Sequence, residues 1–138
     1  MSGRRSTRTR GPASGRPPRA PASGPPGLEP KLRLWVVYGD GIKFGHGRAD
    51  FLALVHVRGS IRAAAAEFGM SYRNAWGYLR ELEQAAGVRL LVRHRGRGAD
   101  AGTRLSPEGQ AFLARYRAFR AAVDCAVERE FVRIYGGG

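Results

Sequence analysis

The chain has 138 residues and a formal charge of +13, from 24 Lys and Arg against 11 Asp and Glu. That length suits one domain with a modest core, and the charge favours a polyanionic partner, nucleic acid before membrane. A lone cysteine, Cys125, excludes an internal disulfide and fits a reducing compartment, and no apolar run approaches the roughly 18 residues of a membrane span.

Seven of the eight prolines lie in residues 1–30, among Gly, Ala, Ser and six Arg. Such a segment lacks the apolar surface to offset its ordering entropy, so it is expected to be a disordered basic arm. With one Glu there, the rest of the chain still carries a net +8. Residues 31–138 are therefore expected to form a basic folded domain. The Arg4-Arg5 pair has no apolar segment after it and makes a poor export signal, and prolines weaken a transit-peptide reading. The expected location is the cytoplasm, on the nucleoid.

Residues 32–39, LRLWVVYG, mix β-branched and aromatic side chains and predict a strand that ends at the turn Gly39-Asp40-Gly41. Phe51, Leu52, Leu54, Val55 and Val57 place a helix over 48–58, with His56 as a packing residue, and Gly59 closes it. Ser60 then caps a helix that is nearly all alanine, Ala63 to Ala66, which lets another backbone approach closely. A tight turn at Gly69 follows, and Ser71 caps a third helix that runs to Ala86 and stops at Gly87. Ala65, Gly69 and Ala75 recur at offsets that suit the corner of a helix-turn-helix.

Next come VRLLVRH (88–94), a loop rich in glycine and arginine, and TRLS (103–106). Two short strands joined directly after a candidate reading helix make a wing. Ser106, Pro107 and Glu108 supply cap, first-turn proline and early acid for a last helix. Its apolar residues Phe112, Tyr116, Phe119, Val123, Val127, Phe131 and Ile134 recur at spacings of three and four over 29 residues. Such a helix extends roughly 43 Å, more than a core this small covers, so a second copy of the chain is expected to bury the rest. Trp35 and Val37 of the first strand, with Phe119, Val123, Val127, Phe131 and Ile134, are the candidate dimer residues. Cys125 is expected to be buried beside this stripe.

On the helix 71–86, Ala75, Leu79, Leu82 and Ala86 form the inward stripe, leaving Arg73, Asn74, Gly77 and Arg80 outside it. Arg73 suits a bidentate contact to guanine and Asn74 one to adenine in the major groove. Ser71 and Tyr72 are better placed for phosphates. Gly77 costs a helix roughly 1 kcal/mol and makes sense where DNA or another backbone comes close. Trp76 and Tyr78 are expected to pack rather than stack on bases. Arg93, Arg95, Arg97 and Arg104 of the wing (94–103) are candidates for the phosphate backbone or minor groove. His46, His56 and His94 are scattered without metal-ligand spacing, and neither CxxC nor HExxH occurs. No catalytic set, metal or cofactor is expected.

The stretches GSIRAAAAEFGMSYRNAW and LLVRHRGRGADAGTRLSPEG, followed by a helix with FLARY, resemble the DNA-binding domain of the molybdenum-responsive ModE family. The resemblance covers about residues 32–120, and the related LysR-type domain shares its GS, AA, LE, G, L and R pattern. It implies a winged helix-turn-helix regulator, dimeric through its first strand and last helix, with Ser71, Tyr72, Arg73 and Asn74 facing DNA. It also departs from the family: Ala99-Asp100-Ala101 stand where the wing tends to carry more glycine, and direct molybdate sensing by these 138 residues is not expected.

The expected fold is mainly α with a small β component, a winged helix-turn-helix with an N-terminal strand and a long C-terminal helix. The expected role is a dimeric, sequence-specific transcription regulator binding double-stranded DNA, linked to molybdate or molybdoenzyme genes. Two other readings stay open: a non-specific architectural DNA-binding protein, and an interaction module that dimerises with a longer regulator.

Overall fold

The computed structural model describes residues 25–94 and 102–136. Most of the basic arm, together with Arg95 and Arg97 at the wing tip, lies outside the described residues. The described residues fall into two compact bodies, a larger one within 33–120 and a smaller one of 25–32 with 121–136. The element order of the larger body is β1 (Val36–Tyr38), β2 (Ile42–Phe44), α1 (His46–Arg58), α2 (Ile61–Glu67), α3 (Tyr72–Ala86), β3 (Leu91–His94), β4 (Gly102–Leu105) and the start of α4 (Pro107–Tyr135). This is a mainly helical winged helix-turn-helix.

The expected strand over 32–39 is reduced to three residues and gains a partner that sequence reading left out. β1 pairs antiparallel with β2 in the register Val36 to Phe44, Val37 to Lys43 and Tyr38 to Ile42, around the glycine turn at 39–41. Pairing stops at Val36 because the residue after Phe44, Gly45, already opens α1. Among the described residues, no strand lies opposite 32–35.

Phe51, Leu52 and Val55 of α1, Ala64 and Ala65 of α2, and Ala75, Leu79 and Leu82 of α3 meet in one core. The small side chains of α2 let α1 and α3 close on either side of it. Ser60 accepts a hydrogen bond from Ala63 N at 2.9 Å, and Ser71 accepts one from Asn74 N at 3.0 Å. Each cap satisfies a donor that the first helical turn leaves free. Between them Gly69 takes φ +68° and Met70 N donates to Ala65 O at 2.9 Å, so the corner folds back tightly. On the other side of the core, Phe44 meets Phe112 and Tyr116 edge-on at 5.0 and 5.3 Å, and the Tyr116 hydroxyl donates to Leu34 O.

The wing strands pair Leu91 with Leu105, Val92 with Arg104 and Arg93 with Thr103. Along its other edge β4 meets the end of α1: Thr103 N donates to Gly59 O at 2.9 Å, and Leu105 N donates to His56 Nδ1 at 3.0 Å. His56 is therefore a half-buried acceptor that ties helix to wing, consistent with a packing role. Ser106 caps α4 by accepting from Gly109 N at 2.8 Å while donating to Arg89 O. A Cβ on Gly109 would overlap the Leu90 backbone, so only glycine lets α4 start this close to β3.

In the smaller body, the far part of α4 carries half-buried Val123, Val127 and Phe131, with Phe131 stacked on Tyr135 at 5.2 Å and Arg133 paired with Glu130. Cys125 is exposed, against expectation. It stands two residues from both Val123 and Val127, about 200° around the helix, and so faces away from their stripe. Among the described residues no helix is long and apolar enough to cross a membrane.

Candidate nucleic-acid interface

One side of α3 is committed to the core: Ala75, Leu79 and Leu82 are buried. The other side presents Arg73, Asn74 and Arg80, all exposed, around Gly77. A Cβ built on Gly77 would meet nothing within 4 Å. The fold of this chain therefore makes no demand for glycine there, and the position opens onto free space between Arg73 and Arg80.

Ser71 is occupied as the cap, yet its hydroxyl keeps a donor for an external oxygen. Tyr72 is 37% exposed with the Arg62 guanidinium 4.2 Å from its ring centre. The two aromatic residues expected to pack behave differently. Tyr78 does pack: its hydroxyl donates to Lys43 O at 2.8 Å, Arg48 lies 4.8 Å over its ring, and burial pushes its pKa up to about 12, with Arg48 working against the shift. Trp76 does not; it is 42% exposed, and the Arg80 guanidinium lies 5.0 Å over its ring.

Between α3 and β3 runs an open groove lined by Arg80, Glu83, Gln84, Arg89 and Arg93. Glu83 braces its floor: one carboxylate oxygen accepts from Leu90 N at 2.8 Å and from Leu91 N at 3.1 Å. The wing root is thus hydrogen-bonded directly to the helix that precedes it. Sequence reading passed over both Glu83 and Arg89. Glu83 stands one residue after buried Leu82, and nothing local signals that its partners are backbone amides seven and eight residues on. Arg89 falls in a short link between helix stop and strand, where an arginine carries no pattern.

Candidate wing arginines do not all meet there. Arg93 pairs with Thr103 and Arg104 with Val92, so strand alternation puts them on opposite faces. The Arg104 guanidinium lies over Gly59, 3.7 Å from where a Cβ would stand. The candidate dimer residues of the larger body are open: Trp35 is 48%, Val37 55% and Phe119 46% exposed. Of those in the smaller body, Ile134 is exposed. No group of three or more His, Cys, Asp or Glu that could hold a metal occurs among the described residues.

Residues 49–110 match the bacterial regulatory helix-turn-helix protein, lysR family. The chain is also 34% identical over 83 residues to the molybdenum-pterin-binding protein MopB of Rhodobacter capsulatus, a match over 60% of this chain. It spans only 31% of that relative's length. Among solved structures it is similar to the BenM DNA-binding domain in complex with catB site 1 DNA, at 23% identity, with 57% of this chain and 80% of that one covered and a TM-score of 0.44. The same domain with benA site 1 DNA covers 65% and 94%, at 23% identity and a TM-score of 0.46. The family match runs from the end of α1's first turn to the start of α4 and takes in the whole helix-turn-helix.

Proposed function

We propose that the protein is a sequence-specific DNA-binding transcription regulator that acts as a homodimer. One observation carries the reading: Arg73, Asn74 and Arg80 stand exposed around Gly77, on the side of α3 opposite its buried stripe. Such a face enters the major groove without steric hindrance at its midpoint, and its side chains match guanine and adenine edges. Ser71, Tyr72, Arg93, Arg95, Arg97 and Arg104 serve the phosphate backbone or minor groove, and the groove lined by Arg80, Arg89 and Arg93 suits a strand passing between helix and wing. The basic arm of residues 1–30 adds sequence-independent affinity. Exposed Trp35, Val37 and Phe119 support pairing of two copies, and Val123, Val127, Phe131 and Ile134 of the smaller body are further candidates for it. The likeness to MopB supports a link to genes of molybdenum metabolism.

Selection of binding sites for the full chain from a random duplex pool tests the reading. An enriched inverted repeat, with half-sites about one helical turn apart, is the expected result, and its occurrences beside molybdate or molybdoenzyme genes would support the link. Tight, salt-sensitive binding without enrichment would replace it with a non-specific architectural role.

A further inference from the structure

Nothing in the packing of the domain explains Trp76. It is the largest apolar side chain left open on α3, although the helix buries the smaller Ala75 and Leu79 on either side of it in sequence. Tyr72 stands one turn before it and Arg80 one turn after, so the three form a single row along the helix. Both aromatic rings in the row carry a guanidinium, Arg62 over Tyr72 and Arg80 over Trp76. Each cation lies over one face of its ring, and both rings remain exposed.

Tyr72 and Trp76, exposed one turn apart, form an aromatic patch rimmed by cations, and such patches mark contact surfaces. Arg62, Arg73 and Arg80 beside it make a polyanion the complementary partner, and the major groove offers one apolar feature among its polar edges, the C5 methyl of thymine. We infer that Trp76 is a specificity-determining residue that recognises a 5-methylpyrimidine, thymine, through the face of its indole. Arg80, held across that ring, would then reach the N7 and O6 of a neighbouring guanine. The inference rests on the reading of α3 as the groove-reading helix, and adds an apolar contact to its polar ones.

The test uses the full chain and a duplex selected from the random pool. Each thymine is replaced in turn by deoxyuridine, which deletes the methyl and nothing else. One position per half-site should weaken binding about fourfold, the effect of one buried methyl at about 0.8 kcal/mol. Trp76→Ala should bind the thymine and uracil duplexes equally, and Trp76→Phe should keep part of the preference. An unchanged thermal midpoint in both variants accompanies this result, because the side chain is exposed. If wild type is indifferent to every replacement, or if Trp76→Ala keeps the same uracil penalty, Trp76 does not read the methyl. A selected operator that is bound in this methyl-blind way removes the inference alone. A pool without any enrichment removes it together with the proposed function.

Discussion

Arg73 and Asn74 occupy the second and third positions of α3, where the Ser71 cap holds the first turn rigid and the helix points its amino end outward. Both side chains are exposed. Arg73→Ala should therefore leave the melting curve in place and cost about 1–3 kcal/mol of binding, with relaxed preference at one base position. A uniform loss across all duplexes would mean that Arg73 contacts phosphate. Tyr78, four residues on from Asn74, does opposite work: its hydroxyl bonds Lys43 O and its ring sits under Arg48. Its folded pKa of about 12 lies above the ordinary tyrosine value near 10. The neutral phenol is thus favoured in the folded state, and its stabilisation is intact below pH about 10. It is lost as pH rises from about 10 through 12, where the unfolded chain ionises first. Tyr78→Phe should cost about 1 kcal/mol at neutral pH and make this alkaline decline shallower, as read by thermal denaturation across pH.

At the scale of elements, the wing is anchored from both sides. β4 bonds to the α1 corner through Gly59 O and His56, and the root of β3 bonds to α3 through Glu83. The second anchor is the one that couples α3 to the wing, because Leu90 and Leu91 have their amides tied to a side chain of α3. Glu83→Ala should destabilise the domain by about 2 kcal/mol, since charge-assisted bonds to partly buried amides are among the stronger ones. It should also weaken binding to all duplexes alike, by letting the wing drift from the helix. Calorimetry with wild type and variant, followed by titration of specific and random duplexes, would separate the two effects. A specific loss at one base position would contradict the bracing role. The helices themselves were legible in advance: Ser60, Ser71 and Ser106 cap where their positions predicted, and Gly59, Gly69 and Gly87 end or turn elements with positive φ. Strands of three and four residues were less so, because alternation needs more length than that to show.

For the whole molecule, the question is what covers the apolar residues outside the core. Val37 is exposed on an outer face of β1 and Phe119 on α4, both in the larger body. Phe119→Asp should leave that body folded, because the ring is not part of its core. It should shift the protein from dimer to monomer in sedimentation, with weaker binding to a two-half-site operator than to single half-sites in proportion. An unaltered dimer would remove this part of α4 from the contact. The division into two bodies bears on the same point, since residues 121–136 of α4 fall outside the body that carries α3 and the wing.

The sequence by itself determined the helices, their caps, the corner at Gly69 and the inward stripe of α3, all of which depend on residues within a turn of one another. Tertiary structure alone decided the rest. The β1–β2 hairpin exists because Ile42–Phe44 finds Val36–Tyr38 across a turn, and it ends where α1 must begin. Arg93 and Arg104 part company because strand pairing places them on opposite faces. Trp76, expected to pack, stays open, because Ala75, Leu79 and Leu82 are the residues of α3 that fill the core. Local spacing tells which residues share a face; only the assembled core tells which face has room left in it.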